Sequence, residues 1–182
     1  MRAVILVVAA TLDELHGADG AETLVCGVGP VEAAARTAAA LAGSRPDALL
    51  HVGLAGAHSF DEPAFVIGSE ALYCDADDPA WIALRISADA VLAAAAARAL
   101  PAAAVAPIGT SARVGGASGC AFEAMEGYAV LRAAALAGVP AVEVRVLANA
   151  IGEPDRTRWR FDEAKSALAA ALPHLIAEIA RA

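Results

Sequence analysis

Two segments of the chain combine charged side chains with apolar neighbours, the pattern expected of a buried reactive site. Residues 122–128 (FEAMEGY) carry Glu126 and lead into an alanine-rich run that favours helix. Residues 142–149 (VEVRVLAN) form a strand-like apolar run that contains Arg145. Because isolated charges are costly to remove from water, a buried acid and a buried arginine need partners. Glu126 and Arg145 are therefore the first candidates for a functional site.

The overall composition narrows the class of protein. The 182 residues fit one domain spanning 1–182, and the 59% hydrophobic content supports a sizeable core. A net charge of −8 argues against nucleic acid or an anionic membrane as the main partner. Residues 1–10 are apolar but too short to span a membrane and lack the layout of a signal peptide, so we interpret them as a buried first strand.

The cysteines give no sign of a disulfide framework or a metal centre. Cys26, Cys74 and Cys120 form an odd set without CxxC spacing. Such a set suits a reducing compartment, so we expect a cytoplasmic protein with no metal site.

Strand-like and helix-like patterns alternate along the chain. Strands are predicted at residues 2–8, 23–28, 48–52, 64–74 with a break at Gly68, within 102–114, and at 140–147. Helices are predicted at residues 31–42, 88–100, 125–137, and from 158 or 162 to 180. This alternation indicates a single α/β domain whose central, mostly parallel or mixed sheet is flanked by helices, with inner strands at 2–8, 48–52 and 141–147. Polar groups at the carboxyl ends of such strands can converge on one pocket.

Two glycine-rich segments follow predicted strands. Residues 27–32 (GVGPVE) lack the third glycine of a dinucleotide-binding motif, so they are either a tight turn or a backbone-lined pocket edge. Residues 53–56 (GLAG) are interpreted as a turn that serves either close packing or the approach of a sugar or base to the backbone.

Three other features favour structural roles. His51 and His58 flank the second glycine segment, but neither has an acid at a persuasive spacing. An acidic cluster near Pro79 could bind a metal ion, although a solvated loop is expected; it comprises Asp75, Asp77 and Asp78. Trp159 is expected to anchor the last helix.

The order of these features resembles the nucleoside phosphorylase and nucleosidase superfamily. A strand is followed by an acid, then by the two glycine segments, a Met-Glu helix start, and a Val-Arg strand that ends in Asn. Within the superfamily, the segments most similar to futalosine hydrolase are MEG at 125–127, RVLAN at 145–149 and DRTRW at 155–159. The resemblance covers nearly the whole chain and implies the nucleoside phosphorylase-like fold.

The resemblance implies a role for each site residue. Glu14 matches the acid that helps to activate water, and Met125 with Glu126 matches the pair that holds the ribose. Arg145 matches the arginine beside the water and the sugar. Asn149 stands where adenine-specific relatives carry Asp, and its amide can hydrogen-bond a purine. We expect Glu14, Glu126 and Arg145 to line one cavity. The expected substrate-binding residues are Gly53, Leu54, Ala55, Gly56, Phe122 and Met125.

The implied activity is hydrolysis of the N-ribosidic bond of futalosine or a related purine nucleoside in menaquinone synthesis, without metal or organic cofactor. Fixed carboxylates suit this reaction because positive charge develops on the sugar in the transition state. A methylthioadenosine or adenosylhomocysteine nucleosidase, a purine nucleoside phosphorylase and a non-catalytic nucleoside-binding protein remain as alternatives. The resemblance also implies a homo-oligomer, a dimer or larger.

Overall fold

The computed structural model describes residues 3–117 and 119–182, so the predicted start of the first strand at Arg2 lies outside the described residues. Within them the strands are β1 (Ile5–Ala9), β2 (Glu22–Val25), β3 (Ala48–Ala57), β4 (Phe65–Tyr73), β5 (Arg85–Ser87), β6 (Ala104–Thr110), β7 (Phe122–Ala124) and β8 (Ala141–Ala150). The helices are α1 (Pro30–Gly43), α2 (Ala90–Ala99), α3 (Gly127–Ala137) and α4 (Phe161–Ile179), with short 3₁₀ turns at Asp13–Leu15 and Arg156–Arg158. None of these helices is long and apolar enough to cross a membrane.

The strands form one mixed sheet that closes on itself at one end. β1 lies between β2 and β3 and is parallel to both, and β3 is parallel to β8 along its length. β8 then pairs antiparallel with β4, β4 parallel with β6, and β6 parallel with β7. β7 returns to the last residues of β3 in antiparallel pairing and closes a ring of five strands. The α/β class and the mixed sheet are therefore confirmed.

The inner strands owe their position to continuous apolar runs. Every residue of β1 is buried, and so are nearly all residues of β3 and β8. A strand that is buried on both faces reads as an unbroken run of Val, Ile and Leu, because helices cover both faces of the sheet. Here α2 and α4 pack on one face, and α1 and α3 on the other. All three strands predicted to be inner strands are confirmed within the described residues.

Local signals set the helix ends. Pro30 opens α1, a position where a missing N–H costs nothing. The Asp89 carboxylate caps α2 by accepting hydrogen bonds from the N–H groups of Val91 and Leu92, both at 3.0 Å. Gly138 ends α3 in the left-handed conformation, with φ of 68°.

Several predicted bounds are wrong. The strand predicted to break at Gly68 runs through it, and only its pairing with β6 shifts register there. The predicted second strand ends at Val25, and the predicted helix at 125–137 begins at Gly127 because residues 122–124 are the short strand β7. The segment 53–56 is not a turn after a strand. It lies inside β3, because β8 continues beside it and supplies backbone partners.

The closing helix α4 carries Pro173, whose missing N–H leaves the Ala169 carbonyl without its helical partner. Gly17 approaches this carbonyl so closely that a Cβ on Gly17 would lie 2.3 Å from the oxygen. Its φ of 90° also favours glycine. This contact joins α4 to the chain just after the 3₁₀ turn that carries Glu14.

Candidate active site

A cavity of about 510 Å³ opens at the carboxyl ends of β1, β3 and β8. This is the edge of the sheet at which α/β proteins collect their ligands. Its wall contains eight of the ten residues expected from the sequence: Glu14, Leu54, Ala55, Gly56, Met125, Glu126, Arg145 and Asn149. The fold thus brings together side chains that lie far apart along the chain.

Glu14 is buried in the 3₁₀ turn that follows β1, and backbone and side-chain donors fix its carboxylate. Oε2 accepts hydrogen bonds from the Thr11 N–H at 2.9 Å and the Thr11 hydroxyl at 2.8 Å. Oε1 accepts one from the Leu54 N–H at 3.2 Å. These bonds hold the carboxylate at the cavity wall without a direct ion pair, so it keeps acceptor capacity for a further group.

Glu126 lies one residue before α3, at the N-cap rather than in the first turn where we predicted it. Its Oε1 accepts a hydrogen bond from the Gly29 N–H at 3.0 Å. The first glycine segment therefore contributes a backbone donor to this carboxylate. Oε2 faces Arg145, whose Nη2 lies 3.5 Å away.

Arg145 is the largest fully buried side chain among the described residues. Its Nε donates to Oε1 of Glu143 at 2.7 Å, so its nearest carboxylate is one that the sequence did not single out. Burial disfavours the guanidinium charge, but the carboxylates of Glu143 and then Glu126 outweigh it and raise the pKa of Arg145. The arginine is therefore charged and tightly surrounded.

Glu143 and His51 complete the surroundings of Arg145 and were not assigned to the site from the sequence. Burial raises the pKa of Glu143, although Arg145 lowers it. Nε2 of His51 lies 2.5 Å from Nη2 of Arg145, and the other ring nitrogen lies 2.9 Å from the Val8 carbonyl. Glu143 could have been found, because residues i and i+2 of a strand lie on the same face and Arg145 needs a partner there.

Gly53 and Phe122 are not among the residues that line the cavity, so their contact with substrate stays a prediction. Gly53 faces Arg145 instead: a Cβ there would lie 2.4 Å from Nη1 of Arg145 and 2.9 Å from Oε1 of Glu14. Phe122 packs against an apolar cluster that contains Ala57 and Ile108.

Asn149 reaches the cavity from the end of β8, where the pairing with β3 shifts register. Its Nδ2 donates a hydrogen bond to the Ala150 carbonyl at 3.0 Å. Its side-chain oxygen accepts no hydrogen bond from the described residues. Gly56 lies opposite, where a Cβ would be 3.0 Å from Nδ2. The missing side chain at Gly56 leaves room for the amide.

The outer wall is aromatic and cationic. The Arg156 guanidinium lies 5.3 Å from the centre of the Trp159 ring, within the range of a cation–π contact. Trp159 meets Phe161, the first residue of α4, edge to face at 5.2 Å. Trp159 therefore contacts the last helix, as predicted, and also lines the cavity.

Glu123 is a buried wall residue to which the sequence analysis gave no role. Its carboxylate accepts hydrogen bonds from the N–H groups of Gly115, at 2.6 Å, and Ala117, at 2.8 Å. These bonds hold residues 115–117 in place, next to Val114, which also lines the cavity.

The acidic cluster lies in an exposed loop, and Asp75 links this loop to the segment that follows β6. Asp75 accepts hydrogen bonds from the Ser111 hydroxyl and the Ala112 N–H, both at 2.7 Å. In the part of the chain that the structure describes, no group of three His, Cys, Asp or Glu side chains is placed to hold a metal ion. The sulfur atoms of Cys74 and Cys120 lie 3.9 Å apart, closer than the dispersed spacing suggested.

Comparisons with known proteins give partial sequence matches and full-length structural matches. No protein-family model matches the chain. Two futalosine hydrolases match part of it, from Streptomyces coelicolor (47% identity over 57 residues, 31% of this chain and 24% of that protein) and Thermus thermophilus (47% over 60 residues, 33% of this chain and 27% of that protein). The matched segments thus span about a quarter of the length of these relatives.

Solved structures match over nearly the whole length. The Streptococcus pneumoniae MTA/SAH nucleosidase in complex with 8-aminoadenine superposes with a TM-score of 0.80 at 20% identity, covering 95% of this chain and 98% of that one. The chain has the MTA/SAH nucleosidase fold. The fold that the resemblance implies is thereby confirmed, and both partial sequence matches are to futalosine hydrolases.

Proposed function

We propose that this chain is a nucleosidase that hydrolyses the N-ribosidic bond of futalosine or a related purine nucleoside and releases a hypoxanthine-type base. The observation that carries the proposal is the convergence of Glu14, Glu126 and Arg145 in one cavity with Asn149. The partial identity to two futalosine hydrolases supports the choice of substrate.

The chemistry follows from two of the carboxylates that line the cavity, those of Glu14 and Glu126. The bond between the sugar C1′ and the base nitrogen breaks, its electron pair leaves with the base, and positive charge develops on the sugar. Glu126 accepts hydrogen bonds from the ribose hydroxyls and stabilises this positive charge. Its carboxylate can do so without reorganising, because Gly29 and Arg145 already hold it in place. Glu14 accepts a proton from the attacking water, the remaining hydroxyl forms the new bond to C1′, and the released base takes up a proton from solvent.

Asn149 is proposed to hydrogen-bond the departing purine. An amide can donate to a ring nitrogen or carbonyl oxygen of the base, but it cannot supply a proton as a carboxylic acid does. This favours a 6-oxopurine, which leaves more readily without protonation by the enzyme than adenine does. Leu54, an aliphatic residue of the cavity wall, is consistent with the futalosine branch.

The surroundings of Arg145 favour hydrolysis over phosphorolysis. A phosphate ion would need a free cation near the reacting carbon. Arg145 is already paired with Glu143 and Glu126, so the cation that lies beside these carboxylates is not free to hold a phosphate ion.

The decisive experiment incubates the purified protein with futalosine, inosine and methylthioadenosine, with and without phosphate, and separates the released bases by chromatography. We expect hypoxanthine from futalosine at a rate that does not depend on phosphate. Preferential release of adenine from methylthioadenosine would assign the alternative nucleosidase, and a strict need for phosphate would assign a phosphorylase. No release from any of the three would contradict the proposal.

Asn149→Asp tests the assignment of base preference. We expect the ratio of kcat/KM for adenine nucleosides over 6-oxopurine nucleosides to rise about tenfold, because a protonated Asp can donate to the adenine ring. The measurement is base release from paired hypoxanthine and adenine substrates. An unchanged ratio would contradict the role of Asn149 and leave the hydrolase assignment standing.

We also propose a cytoplasmic homo-oligomer. Val31 on α1 and Leu136 on α3 are 80% and 72% exposed, on two helices that cover the same face of the sheet. Two large apolar side chains on one face suit a contact between subunits. Light scattering at micromolar concentration should give the mass of a dimer or larger assembly, and a monomer mass would contradict it.

A further inference from the structure

We propose that His51 and Glu143 are positioning residues that fix the orientation of Arg145 from the side away from the cavity. The effect on turnover rests on the proposed function, whereas the protonation state of His51 does not. Neither residue lines the cavity, and both are fully buried. They therefore act through Arg145 rather than on a ligand.

The N–H groups of Arg145 are divided between two sides. Nε donates to Glu143 at 2.7 Å, and Nη2 faces both His51, at 2.5 Å, and Glu126, at 3.5 Å. Nη1 lies on the side of Gly53, where the position of a Cβ would be within 2.9 Å of Oε1 of Glu14. With Nε and Nη2 engaged, the planar guanidinium has one orientation, and Nη1 is the part left to face Glu14.

His51 can hold Arg145 in only one protonation state. Its Nδ1 lies 2.9 Å from the Val8 carbonyl, which can only accept, so Nδ1 carries the proton. Nε2 then has a free lone pair and accepts from the Arg145 guanidinium. If Nε2 carried a proton, its N–H and the Nη2 N–H of Arg145 would face each other, and neither could accept a hydrogen bond. Burial, and then the positive charge of Arg145, hold the pKa of His51 well below its usual value of 6.5, so the ring is neutral.

Glu143 pairs with Arg145 through one carboxylate oxygen and leaves the other without a hydrogen bond from the described residues. Its Oε2 is buried and has no hydrogen-bond partner among the described residues. The carboxylate fits only because position 127 is glycine, since a Cβ on Gly127 would lie 2.2 Å from Oε2. An apolar residue would avoid this cost, so the carboxylate is kept for the ion pair with Arg145.

The cluster would reorganise without these two residues. Three carboxylates, those of Glu14, Glu126 and Glu143, surround one cation. Cys26, the remaining titratable neighbour, stays neutral because burial and then Glu126 raise its pKa to about 12. Loss of either fixed contact frees Arg145 to move closer to Glu126 than the present 3.5 Å and to contact both of its carboxylate oxygens. That pairing would occupy the oxygens that the proposed function assigns to ribose.

The first test measures the His51 tautomer in the intact protein by NMR of ¹⁵N-labelled imidazole rings. We expect a neutral ring protonated at Nδ1 that does not titrate near its usual value of 6.5, with a signal that is lost in His51→Gln. The exposed His174 provides the reference, and its signal disappears in His174→Gln. A His51 ring protonated at Nε2, or one that titrates near 6.5, would overturn the proposal.

The second test separates positioning from a general structural role. His51→Leu removes the acceptor, and we expect kcat/KM for futalosine to fall about 100-fold. His51→Gln keeps an acceptor oxygen, so its loss should stay within about tenfold. Glu143→Gln should raise KM more than it lowers kcat. The reason is that Arg145 then moves closer to Glu126 and competes with the ribose hydroxyls for its carboxylate oxygens.

The control for the second test is His174→Gln, which should leave kcat/KM unchanged. Equal losses in His51→Leu and His51→Gln, with folding intact by circular dichroism, would contradict the proposal. Unchanged kinetics in His51→Leu would do the same. If the unsubstituted protein releases no base at all, the proposed function fails, and the NMR measurement still decides the role of His51.

Discussion

Two arginine–glutamate pairs in this molecule have nearly the same geometry in opposite surroundings. The Nε–Oε distance is 2.7 Å between Arg145 and Glu143 and 2.8 Å between Arg36 and Glu32. The first pair is buried on β8, whereas the side chains of the second are 55% and 58% exposed on α1. Distance alone therefore says little about what a pair contributes.

The surroundings decide the contribution. An exposed pair one helical turn apart stabilises a protein by about 0–1 kcal/mol. Removal of one partner from a buried pair costs roughly 3–5 kcal/mol, because a charge is left buried and uncompensated. Apolar side chains of similar size would fill the same space at no such risk. The buried pair is placed where Gly53 and Gly127 leave room for it, which fits a functional role better than a stabilising one.

The largest expected effect is on turnover and depends on the carboxylates around the buried pair. Glu126→Gln and Glu14→Gln should each lower kcat for futalosine by about 10³-fold, because neither amide can stabilise the sugar cation or accept a proton. The measurement is hypoxanthine release under saturating substrate. Glu32→Gln, the same change in the exposed pair, should leave kcat unaltered. Full turnover in both cavity variants would refute the mechanism.

The next effect is on stability. Glu143→Ala should lower the free energy of unfolding by about 3–5 kcal/mol, and Glu32→Ala by less than about 1 kcal/mol. Urea unfolding followed by circular dichroism gives both values. Glu143→Leu combined with Arg145→Met should recover part of the loss, because apolar side chains then replace this ion pair and only Glu126 loses its partner. Equal losses at Glu143 and Glu32 would show that burial does not distinguish the pairs.

A smaller effect depends on pH. In the unfolded chain His51 binds a proton below about 6.5, but in the folded protein its pKa is well below this value. The unfolded state therefore binds more protons as the pH falls, so stability falls below about pH 6.5, by up to about 1.4 kcal/mol per pH unit. His51→Gln should remove this part of the slope, and His174→Gln should keep it. An identical slope in His51→Gln would contradict the assignment.

The smallest effect is on the response to salt. The coupling energy of Arg36 and Glu32, measured by a double-mutant cycle, should fall from about 0.4 kcal/mol towards zero in about 1 M NaCl, because salt screens exposed charges. The coupling of Arg145 and Glu143 should not change, since mobile ions do not enter the core. Equal loss in both cycles would place the buried pair in contact with solvent.

The main elements could be predicted from the sequence because their signals are local. A few consecutive residues are enough to predict each of these elements. The signals are the apolar runs of β1 and β8, Pro30 at the start of α1 and Gly138 after α3. The acids, arginine and asparagine of the cavity could be predicted only through the order in which they follow these elements. That order marks Glu14, Glu126, Arg145 and Asn149, all of which reach the wall.

The rest could not be predicted, because it depends on contacts between distant residues. β7 is three residues long and exists only because β3 and β6 both pair with it. Glu143 looks like an isolated acid in a strand until Gly127 is seen to make space for it. His51 gave no signal for the same reason: both of its partners, the Val8 carbonyl and Arg145, belong to other strands.

The contact between Gly17 and the Ala169 carbonyl in α4 bears on the order in which the chain folds. Gly17 and Ala169 lie far apart along the chain, so the turn that carries Glu14 is synthesised well before the helix that supports it. Contacts between such distant parts form late, because a long loop must close before they are made. The sheet can therefore assemble before Glu14 is fixed, and docking of α4 becomes the step that completes the cavity.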